Sequence, residues 1–124
     1  MSRLNILAVA LALFAMPVAA GQASLLGALA TCTGRFSAEM EHAWLMGNDA
    51  TNFEERRRQF AEMVGAVMHP DQGREALSLR IDAKFAHARL LNSATFADAP
   101  ERRAIALRRA ADELNTCTSM LLKS

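Results

Sequence analysis

Leu25-Leu26-Gly27-Ala28-Leu29-Ala30-Thr31-Cys32-Thr33-Gly34-Arg35-Phe36-Ser37-Ala38-Glu39-Met40-Glu41-His42-Ala43-Trp44 is the stretch whose reading decides the fold. Within it Leu25, Leu29, Cys32, Phe36, Met40 and Ala43 recur at steps of three or four, the spacing of one buried helix face. A helix with such a stripe must pack against others, and Cys32 lies on the stripe.

Downstream come three more periodic stretches, separated by breakers at Gly47-Asn48, His69-Pro70-Asp71-Gln72-Gly73 and Asp98-Ala99-Pro100. The second opens on Thr51-Asn52-Phe53-Glu54, which reads as a capping box, and carries Phe53, Phe60, Val64 and Val67 on its apolar face. The third has Leu77, Ile81, Phe85 and Ala88 in one row and Leu79, Ala83, Ala86 and Leu90 in a second, nearly opposite. Such a helix is either central or meets a partner. The fourth starts at Pro100-Glu101, where a missing amide and a negative charge are tolerated, and its stripe is Leu107, Ala111, Leu114, Cys117 or Thr118, and Leu121.

Upstream, residues 1–20 read as a cleavable export signal. Arg3 supplies the positive end, Leu4 to Met16 the apolar run, and Pro17 precedes the small residues Val18, Ala19 and Ala20, after which cleavage is expected. This run of thirteen residues, of which only Asn5 is polar, falls short of the roughly 20 that a helical span needs. Residues 21–124 then form one domain, with only two Val and two Ile against 19 Ala, so strand formers are scarce and helix formers abundant. The expected fold is all-α, an antiparallel four-helix bundle with helices near 22–47, 52–68, 72–95 and 99–122, because short connections make neighbouring helices antiparallel.

Cys32 lies about ten residues after the start of the first helix and Cys117 about six before the end of the last, so at a rise of about 1.5 Å per residue both sit at similar heights. An exported chain with two cysteines admits one intramolecular pairing, Cys32 to Cys117. With no Cys-x-x-Cys pair, this reads as a staple rather than a redox centre.

The whole chain carries 14 Lys+Arg against 13 Asp+Glu, and removing Arg3 with the signal leaves the domain neutral. That balance argues against a nucleic-acid partner, which would demand a cationic excess. The chemistry-bearing row is Arg35, Glu39 and His42, which share one edge of the first helix, with Glu39 placed to pair with Arg35 and to hold His42. Glu39 and His42 also have the Glu-x-x-His spacing of di-metal bundles, but no second such pair exists, and His87 follows Arg80 and Lys84 on a cationic row. A metal site on Glu39 and His42 is therefore the minor alternative to a polar cluster that is structural or contacts a small ligand. No cofactor is implied. Nucleophile–base pairs, Gly-rich phosphate loops, zinc motifs and haem-attachment motifs are all missing.

The expectation is a periplasmic or secreted binding module that is not an enzyme. Its partner would be another periplasmic or envelope protein, or a second copy of the chain, meeting a surface around Leu45, Leu79 and Leu90.

Overall fold

The structure, a computed structural model, describes residues 18–122, with side chains from residue 25 onward. Most of residues 1–20, read from the sequence as an export signal, lie outside the described residues. Four helices account for the fold: α1 (Val18–Leu45), α2 (Thr51–Val67), α3 (Gly73–Phe96) and α4 (Pro100–Leu122), with a single 3-10 turn at Pro70–Gln72 before α3. There is no strand among the described residues, and the all-α four-helix expectation holds.

α1 starts at Val18 rather than near residue 22, because the Ala-rich stretch ahead of Gln22 is as helix-compatible as the residues after it. It stops at Leu45, two residues early, because Gly47 takes φ +71° and turns the chain, letting Asn48 N donate to the Ala43 carbonyl (2.8 Å). The capping box at Thr51 and Glu54 does not form. Asp49 takes that role instead, its carboxylate accepting from the Thr51 amide (3.0 Å) and hydroxyl (2.6 Å), which hold its pKa below the usual value.

α1 is the central helix. Leu29, Cys32, Phe36, Met40 and Ala43 are buried as the stripe requires, but so are Leu26, Ala30, Thr33, Ser37 and Ala38, so nearly its whole circumference is covered. Thr33 and Ser37 survive burial by donating to carbonyls one turn back, Leu29 O and Thr33 O, both at 2.8 Å. Leu25, at the exposed end, leaves the stripe.

α2 runs antiparallel to α1, with the Phe36 and Phe60 rings stacked at 5.7 Å and Val64 and Val67 on the same core. α3 runs alongside α1 in the same direction, and these two diagonal members of the bundle touch backbone to backbone at Gly34. A Cβ there would overlap the Arg80 carbonyl oxygen and lie 2.9 Å from Lys84 N and 3.0 Å from Ala83 Cβ. α4 closes the bundle antiparallel to both. The Cys32–Cys117 disulfide joins the first and last helices across 5.6 Å between Cα atoms and encloses an 85-residue separation.

Two faces are phased differently from the sequence expectation. On α4 the buried positions are Ala106, Ala110 and Cys117, while Leu107 and Ala111 are exposed, because small side chains let α4 approach Leu91 and Ala38 closely. On α3 the core side is Ala76, His87 and Leu91, with Leu79 and Leu90 half-buried. Of the two apolar rows, the one through Leu77, Ile81 and Phe85 faces out.

Candidate functional site

Arg35 and Glu39 occupy one edge of α1, yet they do not pair with each other across one turn. The close approach at Gly34 brings α3 within reach, and Glu39 Oε1 instead meets His87 Nε2 at 2.9 Å. The other ring nitrogen, Nδ1, lies 2.8 Å from Glu113 Oε2 on α4. Arg35 completes the circuit from α1 to α4, its Nε 3.5 Å from the same Glu113 carboxylate and its Nη1 donating to the Glu113 carbonyl (3.3 Å) and towards Cys117 Sγ (3.7 Å).

Four side chains from three helices thus form a closed network next to the disulfide, with His87 fully buried at its centre. Ionised carboxylates only accept, so both ring nitrogens donate, which is the imidazolium form. Burial pushes the ring towards neutrality, but the hydrogen bonds and charges of Glu39 and Glu113 outweigh it and hold the pKa above the ordinary value of 6.5. Two cations and two carboxylates balance, so no net charge is buried.

A histidine whose pKa is raised by folding contributes stability that is complete below about pH 6.5 and is lost as pH rises through the folded value. The urea midpoint should accordingly fall from pH 6 to pH 9, and the slope should vanish in His87→Gln. A midpoint flat across that window in the parent protein would refute the imidazolium assignment.

His42, expected in this cluster, is elsewhere. Its Nε2 lies 3.2 Å from Thr95 Oγ1, and since the Thr95 hydroxyl proton goes to the Leu91 carbonyl (2.9 Å), the imidazole is the donor. Glu39 and His42 are therefore not brought together on a metal. Glu39 and Glu113 approach His87 from opposite ring edges, and no group of three His, Cys, Asp or Glu among the described residues could hold a metal ion.

His87, read as part of a cationic row with Arg80 and Lys84, belongs to the row Ala83, His87 and Leu91 that faces the core. Lys84 turns away to pair with Glu41 Oε1 at 2.7 Å. A histidine one turn from Ala83 and one turn from Leu91 was the available signal, and the adjacent cations masked it.

The three residues expected at a partner surface are not exposed together. Leu45 is 70% exposed, but Leu90 packs against the Ala38, Leu91 and Ala110 cluster and Leu79 lies beside Gly27. The exposed apolar row is Leu77 (55%), Ile81 (41%) and Phe85 (58%), on three consecutive turns of α3. Ala88 and Asn92 continue it to a small cleft that Leu45 also lines. No family model, curated protein or solved structure matches the chain.

Proposed function

We propose that this protein is an exported binding module without catalysis of its own, which docks a protein of the periplasm or envelope along the outer face of α3. The row Leu77, Ile81 and Phe85, with Leu45 beyond it, is the observation that carries the reading. Single exposed leucines are ordinary surface. Three large apolar side chains at four-residue spacing, continued by a fourth on the neighbouring helix, form a strip whose burial by a partner is favourable, and helical faces bind through such anchors.

Other features support it. The one buried network of titratable side chains among the described residues is closed on itself, with both nitrogens of His87 engaged, which leaves no free valence for a substrate. The disulfide and the apolar segment before Val18 suit an oxidising compartment. Among the described residues, no helix is long and apolar enough to cross a membrane.

A photo-crosslinking residue placed at Phe85 and irradiated in cells tests the reading. A discrete adduct that disappears when Ile81→Asp is added is the expected result, an adduct of twice the monomer mass identifying a second copy as the partner. No adduct, or one indifferent to Ile81→Asp, would overturn it.

A further inference from the structure

Beside the exposed row, between α1, α2 and α3, lies a groove of about 340 Å³, whose walls combine apolar side chains (Met40, Leu77, Ile81) with the arginines Arg57 and Arg80. The remaining charges in it, Lys84 and Glu41, neutralise each other at 2.7 Å. Neither arginine side chain has a hydrogen bond or ion pair among the described residues, and Arg57 Nε is fully buried without a partner. Buried charged donors are normally satisfied, and leaving one unpaired costs more than a neutral hydrogen bond returns.

We propose that this groove binds an amphiphilic anion, a single oxyanion head on a linear alkyl tail. The head sits between Arg57 and Arg80, and the tail lies on Met40, Leu77 and Ile81. Three features fit this class. A guanidinium presents its N–H groups as a planar fork that matches two oxygens of one oxyanion, and neither Arg57 nor Arg80 has a partner among the described residues that the ligand would have to displace. The two unneutralised cations give the groove a net positive charge that disfavours cationic and uncharged heads. Its volume lies at the low end of ligand pockets, of about 300 to 1,000 Å³, which suits a short chain rather than a cofactor.

The tail shares Leu77 and Ile81 with the docking row, but the head rests on the two arginines, which lie outside that row, so their variants test this site separately from partner docking. Octanoate titrated into the purified protein, followed by amide chemical shifts, is the test. Saturable shifts confined to the facing turns of α1, α2 and α3 are expected, at millimolar affinity or tighter for so small a ligand. Arg57→Gln and Arg80→Gln should each weaken binding by about tenfold or more, the loss of a charge-assisted contact. Arg58→Gln, outside the groove, and Phe85→Ser, which removes the aromatic member of the docking row without adding a charge, should leave it unchanged. Should one arginine variant misfold, as its circular dichroism would show, the other still decides.

The proposal is overturned if octanoate gives no saturable shifts, if octyltrimethylammonium or 1-octanol binds equally well, or if a folded arginine variant binds octanoate like the parent.

Discussion

Replacing Gly34 by alanine should destabilise the protein by about 3 kcal/mol or more, although alanine is favoured over glycine inside a helix by nearly 1 kcal/mol. The added methyl would overlap the Arg80 carbonyl oxygen and press on Lys84 N and Ala83 Cβ. Those are backbone atoms and a Cβ, which cannot swing aside as a long side chain can, so α1 and α3 must separate along their shared length. Separation would also stretch the Glu39–His87 contact one turn further on, now 2.9 Å. Gly65 in α2 is the internal control. A Cβ there meets nothing within 4 Å, so Gly65→Ala should stabilise by about 0.5 to 1 kcal/mol. Urea denaturation of both variants checks the pair, and equal effects would refute the contact.

Removing the disulfide by Cys32→Ala with Cys117→Ala should cost about 4 kcal/mol, the constraint that an 85-residue loop places on the unfolded chain in the entropy model. The melting temperature should fall by at least about 10 °C for a domain of this size. α4 is expected to suffer first. Its buried core positions are Ala106, Ala110 and Cys117, which offer little apolar area, its larger side chains Leu114, Met120 and Leu121 are only partly buried against the core, and Arg35 and Glu113 add one ion pair to α1. Hydrogen exchange on the reduced protein should therefore show α4 amides losing protection ahead of α1 and α2 amides. A melt within a few degrees of the oxidised protein, with reduction verified, would show that the bridge does not stabilise the fold.

The elements differ in how far the sequence alone made them legible. The stripe from Leu29 to Ala43 and the heights of Cys32 and Cys117 derive from helix period and rise, both local quantities, and the structure agrees with them. The α3 face was not legible. Two apolar rows, one through Leu77 and one through Leu79, are equivalent by period, and only the docking of α1 at Gly34 selects which one is covered. The same docking splits the candidate cluster. Arg35 and Glu39 enter the network, His42 is carried on to Thr95, and His87 and Glu113 take its place from helices far along the chain.

By itself, then, the sequence determined four helices, their breaks and one covalent link, because propensity, turn residues and cysteine number act within a few residues or admit one pairing. The tertiary structure decided that α1 is the buried centre, that the buried His87 ring meets a carboxylate at each nitrogen, that Leu77, Ile81 and Phe85 are exposed, and that Arg57 and Arg80 have no hydrogen bond or ion pair among the described residues. Those outcomes depend on how closely two helices approach, which a single hydrogen atom in place of a methyl group at Gly34 permits.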